Sequence, residues 1–293
     1  MKKFRFSIFF LLIFSLLFVQ CSSLKTNTEK KLFLWKITSA QSTVYLLGSI
    51  HLAKESLYPL DSIIESAFAE SNNLVVELDV NKVNPMELMK KVMYQDENTL
   101  ENNVSKEIYV QLKSMFDKHG IPAIVYGKAH PWFATVMLVN LELKASGYDE
   151  KNGIDQHFLN KADVKRILEL ESIDEQLSVF NELDKYPDEF VEYSLTDLKN
   201  TTEKVDELYE AWKTGNTKHF EQLIDIPTEG NPNLEKILKK LFDERNYKMT
   251  DKIINYLESG NKYFVVVGAG HIIGKTGILT LLKEKNKYKI EQL

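Results

Sequence analysis

Val44-Tyr45-Leu46-Leu47-Gly48-Ser49-Ile50-His51 has a near copy close to the other end of the chain, Phe264-Val265-Val266-Val267-Gly268-Ala269-Gly270-His271. Each is a short run of β-branched, aromatic and other apolar residues that halts at a glycine. Each carries a histidine three residues later and leads into a segment of helical pattern. A device used at both ends implies that two imidazoles are brought to one place.

Working outward from the first copy, the apolar runs 32–38 and 43–48 flank Ser39-Ala40-Gln41-Ser42 and read as a hairpin. Leu60, Ile63, Ile64, Ala67 and Phe68 recur at helical spacing, with Pro59 suited to a first turn. Leu74-Val75-Val76-Glu77-Leu78-Asp79 follows as a strand buried on both faces, so strand, helix and strand form one parallel crossover unit. The middle is helical, with spans predicted at 84–94, 105–119, 131–147 and 173–215, and a short strand at 166–171. The 131–147 span is apolar almost all round and reads as a central buried helix, too short and too polar-marked to cross a bilayer. A long helix from 233 to 259 precedes strand 262–267, a helix near 277–285 and a last strand, 288–292. These elements predict an α/β layered fold: a central mixed sheet, two strand-GxxH-helix-strand units at 43–78 and 262–292, and a large helical insertion between them.

The chain has 293 residues, 44% hydrophobic and 27% charged, enough for a substantial core. No low-complexity linker divides it, so residues 32–293 are read as a single domain. At its amino end Lys2, Lys3 and Arg5 precede an apolar run over 6–19, the pattern of an export signal over residues 1–20. Cys21, the only cysteine, stands where lipoprotein cysteines are acylated, and residues 21–31 make a polar tether. Gln20 and Phe18 depart from the usual residues there; simple secretion and an uncleaved anchor are the alternatives. A lone cysteine excludes disulfides within the chain. Export would place the protein in the cell envelope, with the membrane as a partner through Cys21. Loss of the leader takes the net charge from −5 to about −8. Nucleic acid is not an expected partner.

Residues past the carboxyl ends of parallel strands share a rim where ligands bind. His51 and His271 fall there, each after a glycine, Gly48 and Gly268. Glu77 is placed inside a buried apolar strand, where an unpaired carboxylate is very costly. A cation must compensate it, and the sequence offers two solutions. Two imidazoles and a carboxylate are a common ligand set for a catalytic divalent metal. Alternatively, Arg245 occupies the apolar stripe Leu234, Ile237, Leu238, Leu241, Phe242, Met249, Ile253, Ile254 and could pair with a buried acid. Glu77 could then act as general base with or without a metal. Asp155 and His157 are an auxiliary pair, able to orient a neighbour or to cap a helix. His119, His130 and His219, like Trp132 and Tyr148, are expected to be structural or solvated.

The ordered set of residues 44–52, 74–79, 147–149 with 153–158, Glu244-Arg245-Asn246 and 266–274 resembles the TraB/GumN family, relatives of the Tiki proteases. The resemblance covers about 32–293. It implies a metal-dependent hydrolase of peptide bonds, using a manganese- or cobalt-type ion, or zinc, held by His51, Glu77 and His271, with His157 a further candidate ligand. Asp155, Asn246, Gly48 and Gly268 would be auxiliary, and a peptide or protein would be the substrate. A more distant similarity, to erythromycin-esterase-like enzymes, implies a metal-independent site made of His51, Glu77, Arg245 and His271. A third, to ChaN-like lipoproteins, implies a non-catalytic envelope module for haem or a peptide.

Overall fold

The computed structural model describes residues 31–198, 201–225 and 232–293. The predicted export signal, Cys21 and the tether through Lys30 lie outside these residues. Six strands, β1 (Leu34–Thr38), β2 (Thr43–Ser49), β3 (Asn73–Val76), β4 (Arg166–Glu169), β5 (Lys262–Gly268) and β6 (Lys289–Gln292), form one mixed sheet in the order β4-β3-β5-β2-β1-β6. β2, β5, β3 and β4 pair in parallel, whereas β1 is antiparallel to both β2 and β6. β6 therefore points the same way as β2, and β1 alone runs against the rest.

The predicted hairpin forms because Ser39 closes its turn: the Ser39 hydroxyl accepts the N–H groups of Gln41 and Ser42 at 3.1 and 2.9 Å. The next helix begins later than predicted. It spans Ser62–Glu70 and is capped by Asp61, whose carboxylate accepts the Ile63 N–H at 3.0 Å; Pro59 lies before it. Val44, Leu46, Leu47, Leu74, Val75 and Phe264 to Val267 are fully buried or nearly so, which gives the sheet centre its continuous apolar character. The central helix, Pro131–Ala145, buries Trp132, Ala134, Leu138, Val139 and Leu143. Among the described residues no helix is long and apolar enough to cross a membrane.

Both strand-GxxH-helix-strand units form, and they differ in how their strands are connected. β2 and β3 are not neighbours, because β5 lies between them. From β2 the chain runs through the Ser62–Glu70 helix over β5 to β3. From β5 it runs through the Ile278–Glu284 helix past β2 and β1 to β6. Two right-handed crossovers leaving in opposite directions go to opposite faces of the sheet. The chain therefore leaves the carboxyl ends of β2 and β5 in opposite directions, which makes this the switch point of the sheet, the place where ligands bind in open α/β sheets. The register places Ser49, not Gly48, opposite Gly268, so the two glycine-histidine motifs are staggered by one residue.

Candidate active site

His51 lies in the turn after β2 and is held by the helix Ile154–Lys161. The Ile154 N–H donates to the Ile50 carbonyl at 3.1 Å, and any side chain at Gly153 would collide with the His51 carbonyl. That close approach brings Asp155, in the first turn of the helix, onto the imidazole. Its carboxylate lies 2.8 Å from His51 Nδ1 and also accepts the Ser49 hydroxyl. The Asp155 charge outweighs desolvation of the ring and raises the His51 pKa to about 9. His51 is an imidazolium at neutral pH, and 47% of its side chain is open to solvent.

His271 has the opposite setting. It lies on the short helix Ala269–Ile272, is 6% exposed and meets a neutral amide, with Nδ1 2.7 Å from Asn246 Oδ1. The other end of that amide donates from Nδ2 to the Thr276 carbonyl at 3.0 Å, which fixes its orientation. The His271 Nδ1–H must therefore donate, and Nε2 keeps its lone pair. Burial first, and the Arg245 charge second, lower the His271 pKa to about 3. The ring is neutral at pH 7.

Glu77 lies just beyond the strand in which it was predicted, since β3 ends at Val76; it remains 7% exposed. One carboxylate oxygen accepts the Gly268 N–H at 2.6 Å and the other accepts Arg245 Nη2 at 2.8 Å. Burial alone would raise its pKa, yet the charges of His271, Arg245 and His51 and the Gly268 N–H bring it down to about 2. Because His271 is itself held neutral, the lasting part of that stabilisation comes from Arg245, His51 and Gly268. Arg245 opens the helix Arg245–Leu257, directly after a π-helical stretch, Lys239–Glu244, that interrupts the single helix predicted for 233–259. Such insertions recur at functional positions. The guanidinium also clamps Glu171, with Nε at 2.8 and 3.0 Å and Nη2 at 2.6 Å from its carboxylate.

Gly268 is the centre of the arrangement. A Cβ there would lie 3.2 Å from Glu77 Oε1, 3.3 Å from His51 Nε2 and 3.6 Å from His271 Cδ2. The three predicted groups thus surround one point, and only glycine leaves that point open. The fit to a metal is a separate question. Both Glu77 oxygens are engaged, the fixed Arg245 cation adjoins them, and among the described residues no group of three or more His, Cys, Asp or Glu side chains is arranged to hold a metal ion. The donor set as it stands does not fit the three-ligand site.

His157 stands apart from this centre. Its Nε2 is 3.1 Å from a Glu65 oxygen and its ring stacks on Tyr58 at 4.6 Å. Gly48 lies within β2 and contributes its carbonyl, which accepts the Trp212 indole N–H at 2.6 Å. His119 pairs with Glu142 and His130 with Asp184, His219 is exposed, and Trp132 and Tyr148 are core residues, as expected. Glu171 and Ser49 were missed. Glu171 carried a signal, being an acid at the end of an apolar strand run, the same reasoning that singled out Glu77. Ser49 carried none.

A mixed sheet with this switch point and His51, Glu77, Arg245 and His271 gathered at its rim defines an α/β protein with a clustered polar centre. The TraB/PrgY/gumN family matches residues 33–292, and the chain belongs to it. It is 22% identical over 242 residues to the uncharacterized protein YbaP of Escherichia coli K12, covering 82% of this chain and 87% of YbaP, and equally to YbaP of Shigella flexneri. No solved structure matches the chain.

Proposed function

We propose that the protein is a hydrolase of ester or amide bonds that works by acid–base chemistry with His51, Glu77, Arg245 and His271, without a metal. The observation that carries this reading is the Glu77–Arg245–Glu171 ion network, which supplies the buried acid with its cation, beside two imidazoles whose pKa values are pushed apart. Titratable pairs driven apart by their surroundings mark an acid and a base. His271, with a free Nε2 lone pair, takes a proton from water as the water oxygen attacks the substrate carbonyl carbon. The His51 imidazolium donates to the developing oxyanion, and the leaving group takes its proton from His51 as the bond to carbon breaks. The proton on His271 then leaves to bulk water, because burial and Arg245 make it acidic, and the neutral His51 takes one up from water, which restores both rings; the same setting limits the basicity of His271. Glu77 and Arg245 form the fixed electrostatic floor. The basic, apolar leader and Cys21 support a place in the cell envelope on a lipid anchor.

Turnover of an activated ester and of a fluorogenic peptide by the purified chain tests this. His271→Ala is expected to lower kcat by about 10²- to 10⁴-fold while the fold is kept, and chelation by EDTA to change nothing. Loss of activity in EDTA with recovery in manganese or cobalt would return the assignment to a metallopeptidase. A Soret band in the purified protein, without turnover, would make it a haem-binding module. Equal cleavage by wild type and the His51→Ala/His271→Ala double variant would end the catalytic assignment.

A further inference from the structure

A cavity of about 280 Å³ opens at the carboxyl ends of β3 and β4. It begins where the Arg245 clamp ends: Leu78 follows Glu77, and Ser172 and Ile173 follow Glu171. Its apolar lining is Leu78, Val83, Leu88 and Ile173, all half-buried aliphatic residues. The charges around its mouth are paired with one another. Lys82 is 3.1 Å from Asp79 and 3.8 Å from Glu169, Lys91 is 2.6 Å from Asp174, and Lys90 is 2.7 Å from Glu87. Lys82 serves both Asp79 and Glu169, so the mouth carries one acid in excess, and a ligand group entering here meets aliphatic walls below a rim that disfavours an anion. An apolar cavity of about 150 Å³ already accepts a benzene-sized guest, so this one has room for a larger hydrocarbon group.

The position relative to the reacting centre sets the reach. The sheet order places β5 beside β2, then β3, then β4, so the midpoint of β2 and β5 and the midpoint of β3 and β4 are two strand spacings apart, about 10 Å. Arg245 lies between, bridging Glu77 to Glu171. An extended chain whose carbonyl sits between His51 and His271 would cross the clamp and place a group about 10 Å away in the cavity.

Resting on the hydrolase reading, we infer that this cavity is a specificity subsite for an uncharged aliphatic group of the substrate, borne either on an acyl chain or on a peptide side chain three residues from the cleaved bond. The substrate class is thus an extended ester or amide with an apolar group distal to its carbonyl.

The test compares kcat/KM for p-nitrophenyl octanoate and p-nitrophenyl acetate, and for peptides with leucine or glycine at that distal position. Wild type is expected to favour the aliphatic member of one pair by at least tenfold, and which pair shows it identifies the source of the group. Leu88→Trp, which fills the cavity from a half-buried position on an outer helix, should collapse that preference towards unity. Methyl NMR of wild type and of His271→Ala with octanoate added supplies a readout independent of turnover. Shifts of the Val83, Leu88 and Ile173 methyls in both proteins would uphold the subsite even if no hydrolysis were found, so the two readings can fail separately. No preference in an active wild type, an unchanged preference in a folded Leu88→Trp, or unmoved methyls would overturn the inference.

Discussion

Replacing Arg245 with methionine tests the electrostatic reasoning most directly, because the guanidinium neutralises two carboxylates that are both buried, Glu77 at 7% and Glu171 at 5% exposure. Methionine keeps much of the apolar stem and deletes the charge. Breaking a buried ion pair from one side costs about 3–5 kcal/mol, and here two acids are stranded. Against a total stability of about 5–15 kcal/mol that is a large share. At about 2–4 °C per kcal/mol for a domain approaching this size, Tm should fall by roughly 6–20 °C at pH 7. The pH dependence carries a sign. In wild type, Glu77 has a folded pKa of about 2, below the 4.5 it would otherwise have, so its contribution is present above pH 4.5 and lost only as pH falls towards 2. Without Arg245 the folded pKa of Glu77 rises, and the penalty is present at neutral pH and shrinks as pH falls through the raised value. Urea unfolding at pH 7 and pH 5 should therefore show the gap between variant and wild type narrowing at the lower pH. Adding Glu77→Gln and Glu171→Gln to Arg245→Met should recover most of the loss, since the stranded charges are then gone. An Arg245→Met protein within 1 kcal/mol of wild type at pH 7, with no narrowing at pH 5, would refute the assignment of Arg245 as the compensating cation.

Asp155→Asn removes the charge that raises His51 from 6.5 to about 9; the imidazole pKa read by NMR should drop back, and the alkaline limb of the kcat/KM profile should move down with it. Asn246→Asp puts a carboxylate on His271 Nδ1, so the ring should protonate well above pH 3 and activity should fall about 10- to 100-fold; a nitrogen-15 spectrum still showing a neutral ring at pH 6 would contradict this. Gly268→Ala places a methyl 3.2 Å from Glu77 Oε1 and 3.3 Å from His51 Nε2 at a φ of −50°, so turnover should be lost with little change in Tm. Lowering the pH from 7 to 4 should destabilise wild type through His271, because the unfolded ring protonates near 6.5 while the folded one stays neutral to about 3. His271→Gln should flatten that slope.

Much of the sheet was legible because its strands are local and strongly patterned: the apolar runs 43–48, 74–76 and 262–267 all form strands. Their order in the sheet was not, since periodicity says nothing about which strand lies beside which. A strand-helix-strand unit over 43–78 is compatible with β2 and β3 adjacent or separated, so the place of β5 between them, and with it the switch point, was not legible. Glu77 was found by asking what compensates a buried acid. The same question at Glu171 would have shown that Arg245 serves two acids. The break in the 233–259 helix left no mark, because a π-helical insertion shifts a stripe by one residue without any glycine or proline to announce it.

The two GxxH motifs read as equals in the sequence, and their chemical roles diverge through what meets each ring. His51 leaves β2 into an open turn and finds a carboxylate delivered by a helix start, so it holds a proton. His271 leaves β5 into a short buried helix and finds an amide fixed by the Thr276 carbonyl, so it keeps a lone pair. The partners come from segments 104 residues after the first histidine and 25 before the second, which is why neither motif announces its own protonation. Opposed crossovers supply the common location, and the partners Asp155 and Asn246 supply the opposite charges. A symmetric pair of motifs on an asymmetric topology thereby presents one protonated and one neutral imidazole to one open point at Gly268.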